Sequence, residues 1–172
     1  TVTTDDDEKT YDGRPLTNDE AEISGLVTGE TATAVATGSR IDYGTSDNSY
    51  RIDWGTAKST NYEVTTENLG TLNVKKATMS LTVTGHEGVY DGSTYSVEVE
   101  GAPANSIVEY KVGEGDWTTN VPGITDVGEQ TVAVRVTNNN YELGTGSTTL
   151  KVTPAPLTVT TGIGIPEHDN EG

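Results

Sequence analysis

The stretch Thr131-Val132-Ala133-Val134-Arg135-Val136-Thr137 alternates between two kinds of side chain with a period of two. Successive side chains of an extended strand point to opposite faces. The three valines therefore share one face, and threonine, alanine and arginine share the other. This pattern predicts a β-strand with one buried face and one solvated face, as in an antiparallel sheet.

Similar runs occur along the whole chain, so the predicted fold class is all-β. The clearest predicted strands cover residues 30–37, 50–54, 71–74, 96–100, 107–112, 131–137 and 148–152. Gly113-Glu114-Gly115-Asp116 is predicted to form the tip of a hairpin. Residues 18–23 alone predict a helical turn, which Asn18 or Asp19 would cap. We expect small antiparallel β-sandwich or β-grasp-like sheets.

Two short motifs occur twice in the chain. Tyr11-Asp12-Gly13 and Asn61-Tyr62-Glu63 are followed, each 79 positions later, by Tyr90-Asp91-Gly92 and Asn140-Tyr141-Glu142. A duplication that keeps its internal spacing indicates units that fold separately and stack in a row. The repeat therefore predicts tandem domains in an elongated arrangement.

The unit boundaries follow from the same repeat. A threonine-rich alternating run opens at residues 1–4, 81–84 and 157–160. We expect a first domain at residues 1–78 (unit 1) and a second at residues 79–156 (unit 2). Residues 157–172 would be the opening strand of a further repeat or a disordered tail. Thr153-Pro154-Ala155-Pro156 predicts a short, stiff connector, because proline fixes φ and cannot donate to a ladder.

The repeated residues have local structural explanations. The tyrosine of Tyr-Asp-Gly would end a strand and bury its ring, while Asp-Gly turns the chain with little strain. Asn-Tyr precedes the last strand of each unit, where asparagine tolerates turn geometry. A third echo, Asp42-Tyr43-Gly44 and Asp126-Val127-Gly128, precedes the penultimate strand. These residues are expected to be structural corners rather than binding sites.

Composition excludes several classes of function. The 172 residues carry a net charge of −17 and contain no cysteine. The charge excludes nucleic acid and anionic lipid as partners, and the lack of cysteine excludes disulfides and thiolate sites. No stretch approaches the length of a membrane span, so we expect no direct membrane insertion. The chain also looks like a segment of a longer protein.

No catalytic constellation is present in the sequence. The two histidines, His86 and His168, lie far apart in the chain, and the serines lack a nucleophile elbow. We therefore expect neither an enzyme nor a cofactor. Asp5, Asp6, Asp7 and Glu8 are the weak calcium candidates, but they lack the alternate-ligand spacing of a calcium loop. No metal site is predicted, although calcium or an intramolecular lysine-to-asparagine bond stays open as a stabilising element.

Trp54 and Trp117 are the candidate ligand-binding residues. Flat aromatic rings stack on sugar faces, and Trp117 follows the predicted hairpin tip. The chain also has no phenylalanine, so both tryptophans can instead fill hydrophobic cores. The core interpretation is favoured, and the glycan interpretation stays open.

The ordered set of motifs resembles a known group of repeats. Tyr-Asp-Gly near the start, Asp-x-Gly before a long strand, Asn-Tyr before the last strand and a Leu-x-Val close are similar to the Tyr-Asp-Gly and "mostly beta grasp" (MBG) repeats of bacterial surface proteins, in the style of Ig-like adhesin repeats. The resemblance covers both units. Unit 2 departs from it by lacking the Arg14-Pro15-Leu16 that follows the first Tyr-Asp-Gly.

The resemblance implies an extracellular protein, secreted or attached to a bacterial cell wall, in which such repeats form a stalk or an adhesive surface. It supplies no catalytic residues. The implied partners are the neighbouring repeats of the same polypeptide and, as an alternative, a host glycan or extracellular protein bound through the Trp117 hairpin or an exposed strand edge. The chain is expected to be a monomer.

Overall fold

The described part of the chain folds into β-strands connected by turns and one 3₁₀ turn, Ser59–Asn61. The computed structural model describes residues 1–162 and residue 164. In chain order the strands are β1 (Val2–Thr4), β2 (Asp7–Thr10), β3 (Ala21–Ile23), β4 (Ala32–Ala36), β5 (Gly44–Asp47), β6 (Tyr50–Trp54), β7 (Glu67–Asn68), β8 (Thr71–Lys75), β9 (Thr82–Thr84), β10 (His86–Val89), β11 (Tyr95–Ser96), β12 (Glu98–Glu100), β13 (Ile107–Val112), β14 (Gly123–Ile124), β15 (Gly128–Thr137) and β16 (Gly144–Thr153). The predicted all-β class is confirmed.

The strands of each unit pair with strands of the same unit. In unit 1 the sheet orders are β3-β1-β7, β2-β8-β5 and β4-β6. In unit 2 they are β10-β16-β15-β13, β11-β14 and β12-β9. This pairing is compatible with the division at residue 78, which remains a prediction.

The sheets are mixed rather than purely antiparallel. The pairs β1–β7, β2–β8 and β10–β16 are parallel. In each unit an early strand thus lies beside the last strand, and the intervening strands form the crossover between them. Alternation has the same period in parallel and antiparallel strands, so the sequence pattern could not indicate these directions.

The last strand of each unit has the same neighbours in the same register. Leu72 of β8 lies opposite Asp7 of β2, and Leu150 of β16 lies opposite His86 of β10. On its other side β8 pairs with β5, as β16 pairs with β15. The sequence repeat thus corresponds to a repeat of strand register.

The penultimate strand is where the units differ most. In unit 2 it is continuous over the ten residues of β15, whereas in unit 1 it is divided into β5 and β6. The division occurs at Asn48, four residues after the glycine that begins β5. Val132 lies at the same distance from the glycine that begins β15. Asn48 and Val132 therefore hold equivalent positions in the ladder.

Each unit has its own buried cluster. The larger cluster, in unit 2, consists of Val97, Tyr110, Ile124, Val132, Val134, Val136, Leu150 and Val152. The smaller one, in unit 1, consists of Leu16, Leu72 and Val74, with Tyr11 packed against it. The alternation in β15 produces this core, because its three valines are at most 1% exposed. Burying each valine contributes roughly 1.5–3 kcal/mol.

Most predicted strands lie where the alternation placed them. The strands at 50–54 and 107–112 match β6 and β13 residue for residue. The predicted strand at 96–100 is divided, because β11 pairs with β14 and β12 pairs with β9. At the predicted hairpin tip, Val112 accepts a bond from the Gly115 N–H, and Tyr110 pairs with Thr118 beyond it.

The predicted helical turn at residues 18–23 is wrong. Asn18 does accept a hydrogen bond from the backbone N–H of Glu20 at 2.8 Å, as a cap would. The chain then continues as β3, which pairs with β1 and places Ile23 opposite Val2. Ladder pairing satisfies more backbone groups than one isolated helical turn, so tertiary context outweighs the local capping signal.

The segment after Pro156 is described only up to residue 162 and at residue 164. Residues 157–162 carry no strand assignment, and Leu157 is 89% exposed. The remainder of the predicted further repeat or tail, including His168, lies outside the described residues. The prediction for residues 157–172 therefore stays a prediction.

Candidate functional site

The second Asn-Tyr-Glu motif lies at the junction of the two units. Asn140-Tyr141-Glu142 connects β15 to β16 and pairs in parallel with Ala77 of the linker. The Ala77 N–H donates to the Asn140 carbonyl at 3.0 Å, and the Glu142 N–H donates to the Ala77 carbonyl at 2.7 Å. The linker is thus held by backbone hydrogen bonds on both sides of one residue.

The Asn140 side chain bridges to unit 1. Its Oδ1 accepts a hydrogen bond from the Tyr43 N–H at 2.8 Å, and its Nδ2 donates to Asp42 Oδ1 at 2.9 Å. A carboxamide carries both an acceptor and donors, so one side chain can satisfy both partners at once. Within unit 2 the Asn138 Oδ1 accepts from the Asn140 N–H at 3.0 Å, which orients the turn.

Aromatic contacts surround this bridge. The ring of Tyr11 meets the ring of Tyr141 edge to face, with 5.6 Å between centroids and an interplanar angle of 73°. The Lys76 ammonium lies 5.0 Å from the centroid of the Tyr43 ring. An aromatic pair of this geometry contributes about 0.5–1.5 kcal/mol beyond its burial. Backbone, amide and aromatic groups from both units therefore meet at one place, which we call the junction clamp (Tyr11, Asp42, Tyr43, Ala77, Asn140 and Tyr141).

The first Tyr-Asp-Gly motif positions Tyr11 for this contact. The Tyr11 N–H donates to the carbonyl of Lys75 at 2.8 Å, and its ring packs on the core of unit 1. Asp12 Oδ1 then accepts from the Arg14 N–H at 2.9 Å and from Lys9 Nζ at 2.8 Å. The Lys9 hydrogen bond is the main cause that lowers the pKa of Asp12. The motif ends a strand and reverses the chain with its tyrosine aimed at the junction.

The second Tyr-Asp-Gly motif has the same turn but a different tyrosine environment. Asp91 Oδ1 accepts from the Ser93 N–H at 2.9 Å, and Gly13 and Gly92 have φ of 77° and 81°. The Tyr95 hydroxyl donates to the Asp91 carboxylate, and this bond lowers the pKa of Asp91. Tyr90, however, is 42% exposed, contrary to the expected burial of its ring. Its backbone N–H donates to the carbonyl of Thr153, the last residue of β16.

The first Asn-Tyr-Glu motif is folded onto its own unit. Tyr62 stacks on Trp54 with 5.9 Å between centroids. Its hydroxyl donates to Glu30, which raises the pKa of Tyr62, and accepts from the Val27 N–H at 3.0 Å. Asn61 ends the 3₁₀ turn. The two tyrosines of this motif therefore have different contacts, although the sequence presents them alike.

The two tryptophans lie in different units, each against a partner of its own unit. Trp117 is half-buried, and the Arg135 guanidinium lies 4.4 Å from the centroid of its ring. Arg135 Nε also donates to Glu109 Oε2 at 2.7 Å, and this bond lowers the pKa of Glu109. Trp54 lines a cleft of about 270 Å³ together with Tyr62. Trp54 and Trp117, the two candidate ligand-binding residues, therefore do not form a common site.

The acidic run at residues 5–8 does not converge on a point. Asp6 Oδ1 accepts from the Thr71 N–H at 2.6 Å, and Glu8 Oε1 lies 2.7 Å from Lys75 Nζ. Asp7 Oδ1 caps the N–H of the next residue at 2.8 Å. Within residues 1–162, no group of three or more histidine or acidic side chains is placed to hold a metal ion.

Sequence reasoning missed two features of the structure. It treated Asn140 and the Asp42-Tyr43 pair as separate turns, although both belong to echoes that recur in the two units, and that shared recurrence was the available signal. It also missed Asn48, which is fully buried. Asn48 has no asparagine counterpart in unit 2, so the repeat gave no signal for it.

Comparison with known proteins finds one family match, in the first part of the chain. The sequence profile of the MBG domain (YGX type) matches residues 1–73. No curated protein sequence matches the chain. The described residues contain no helix with the length and apolar character needed to cross a bilayer. MBG domains occur as repeats in surface proteins.

Proposed function

We propose, from the premise that residues 1–73 form an MBG-type repeat, that the chain is a stalk segment of a secreted or wall-attached bacterial surface adhesin. Unit 2 is a second repeat of the same kind, since its ladder register and motifs repeat those of unit 1. The role of the two units is to hold a distal binding domain away from the cell surface.

The junction clamp is the observation that carries this proposal. A flexible tether would leave the linker backbone free, yet Ala77 is bonded through both its N–H and its carbonyl. Asn140 adds two side-chain hydrogen bonds to the far unit, at 2.8 and 2.9 Å. In a linear array each unit contacts only its neighbours, so contacts of this kind decide how far the array bends.

The surface chemistry supports an extended molecule. The net charge of −17 makes neighbouring molecules and distant units repel one another. Each unit has a separate core, so neither depends on the other for its buried residues. Stiffness then depends on the short linker and the junction clamp.

Small-angle X-ray scattering of the chain tests the proposal. A rod of two units gives a pair-distance distribution with a second maximum and a radius of gyration well above the ~16 Å of one compact globule of this length. A single-maximum profile near ~16 Å would show that the units collapse on one another and would refute the stalk role.

A second candidate function is recognition of a host glycan or protein through the Trp117 hairpin. The observation that favours it is that Trp117 remains only half-buried beside the exposed turn of residues 113–116. A glycan array probed with the native chain and with Trp117→Ala separates the two functions. Binding that is lost in the variant supports recognition, and the absence of binding by the native chain leaves the stalk role alone.

A further inference from the structure

Unit 2 repeats the part of unit 1 that receives the Asn-Tyr-Glu turn. On unit 1 the receiving positions are Tyr11, Asp42, Tyr43 and Ala77. The positions equivalent to them in unit 2 are Tyr90, Asp126, Val127 and Ala155, which we call the distal socket. Tyrosine, aspartate and alanine are identical in the two sets, and only the third position differs.

The backbone holds these residues in the same way in both units. The Tyr90 N–H donates to the Thr153 carbonyl at 2.8 Å, as the Tyr11 N–H donates to the Lys75 carbonyl at 2.8 Å. Asp126 and Val127 directly precede β15, as their counterparts directly precede β5. The distal socket is therefore built on the same register as the occupied site.

The one difference does not affect the main contact. Asn140 Oδ1 accepts from the backbone N–H of Tyr43, not from its side chain. Valine at position 127 supplies the same N–H. The Tyr43 ring instead contacts the Lys76 ammonium. In unit 2 these two residues are Val127 and Pro154, so unit 2 lacks this cation–π contact but not the groups of the amide bridge.

The tyrosine and alanine positions of the distal socket are more exposed than their counterparts in unit 1, whereas Asp42 and Tyr43 are exposed like Asp126 and Val127. Tyr90 is 42% exposed and Val127 is 53% exposed, whereas Tyr11 is half-buried. Ala155 is exposed, whereas Ala77 is half-buried in its pairing with Tyr141. Because the strand register is the same in both units, the exposed Tyr90, Asp126, Val127 and Ala155 hold the positions that receive an asparagine followed by a tyrosine on unit 1.

We propose that the distal socket binds the Asn-Tyr-Glu turn of a further unit of this fold, in a second copy of the junction clamp. The proposal rests on the proposed stalk function and adds the residues by which one repeat recognises the next. The occupant is identified by the structure itself, because the same turn occupies the equivalent surface of unit 1.

A three-unit chain tests the proposal. A copy of residues 79–156 is placed directly after Pro156, which keeps the number of residues between the linker alanine and the asparagine equal to that from Ala77 to Asn140. Amide hydrogen exchange is then followed by NMR at Val127 and at Tyr43. We expect exchange at Val127 to slow by about tenfold relative to the two-unit chain, the factor that corresponds to one hydrogen bond.

The matched control replaces only the asparagine equivalent to Asn140 in the appended copy by alanine. Loss of protection at Val127 in this control, with strand signals of the appended unit unchanged, supports the socket. Unchanged exchange at Val127 in the three-unit chain, with Tyr43 still protected, overturns it. Lack of protection at Tyr43 in the two-unit chain would instead contradict the first junction and, with it, the stalk function.

A second variant tests the socket without an added unit. In the native chain, Tyr43→Val converts the receiving side of the junction to the residues of the distal socket, and Lys76→Pro with Thr78→Pro adds the two prolines that flank Ala155. If the amide of residue 43 keeps its protection and Ala77 stays paired with Tyr141, the socket residues suffice to hold the turn. If the protection of residue 43 and the pairing of Ala77 are both lost while each unit stays folded, the socket residues do not suffice to hold the turn.

Discussion

Asn48 and Val132 hold the same position in two copies of one ladder, yet one is a buried amide and the other a buried hydrocarbon. Both side chains are 0% exposed. Asn48 Nδ2 donates to the carbonyls of Asp5 at 3.1 Å and Asn18 at 3.0 Å, and Oδ1 accepts from the Gly38 N–H at 3.2 Å. The amide thus joins three backbone segments that lie outside the named strands, at Asp5, Asn18 and Gly38.

We expect Asn48→Ala to lower the free energy of unfolding of unit 1 by about 2–4 kcal/mol, because a fully buried side chain is truncated and three partly buried backbone groups lose their partner. Each unit has one tryptophan. Urea unfolding followed by Trp54 fluorescence in a Trp117→Phe background therefore reports on unit 1. Asn68→Ala, at an exposed asparagine, is the control. A change in the free energy of unfolding below about 0.5 kcal/mol, the range of ordinary surface substitutions, would show that the amide hydrogen bonds do not stabilise unit 1.

The Asn140 amide should control the stiffness of the junction rather than the stability of either unit. Asn140→Ala removes the bonds to Asp42 and Tyr43 but no contact of either core. We expect ¹⁵N relaxation to give one common rotational correlation time for both units in the native chain and two shorter ones in the variant. Asn139→Ala, at the exposed neighbouring residue, should leave the native result unchanged. If Asn140→Ala gives the same single correlation time as Asn139→Ala, the junction clamp does not control stiffness.

The two tyrosines of the Tyr-Asp-Gly motif should differ in energy. Tyr11 packs on the core of unit 1 and on the Tyr141 ring, whereas Tyr90 is 42% exposed. We expect Tyr11→Ala to cost about 2–4 kcal/mol and Tyr90→Ala less than about 1 kcal/mol in the two-unit chain. Chemical denaturation of each variant measures both values. Equal costs would show that the motif is a corner with the same function in both units.

Acid should weaken unit 2 through Glu109. The hydrogen bond from Arg135 holds the pKa of Glu109 below its ordinary value. Because the pKa is lower in the folded state, this contribution is present above about pH 4.3 and is lost as the pH falls through the folded-state pKa.

The measurement for Glu109 is the urea midpoint of unit 2, followed by Trp117 fluorescence in a Trp54→Phe background between neutral pH and pH 3. We expect Glu109→Gln to be less stable than the native chain at neutral pH and to lose less stability on acidification. Glu114→Gln, in the exposed turn after β13, is the control. Parallel pH curves for the native chain and Glu109→Gln would rule out this contribution.

Local patterns in the sequence were sufficient for much of the fold. Alternation located β6 and β13 residue for residue, because a strand with one buried face must alternate wherever it pairs. The Asp-Gly pairs likewise indicated turns, and both glycines have the positive φ that such turns need, since this conformation depends on the residue itself. The capping signal at Asn18 failed because pairing with β1 decided that segment.

The sequence by itself determined the all-β class, the repeated motifs and the absence of cysteine chemistry, since these depend on residue type and spacing along the chain. Only the tertiary structure decided which strands run parallel, which tyrosine of each motif meets another unit, and that Asn140 joins unit 2 to Asp42. The physical reason is that these contacts join residues far apart in sequence. Tyr62 and Tyr141 lie in identical tripeptides, but one stacks on Trp54 and the other on Tyr11.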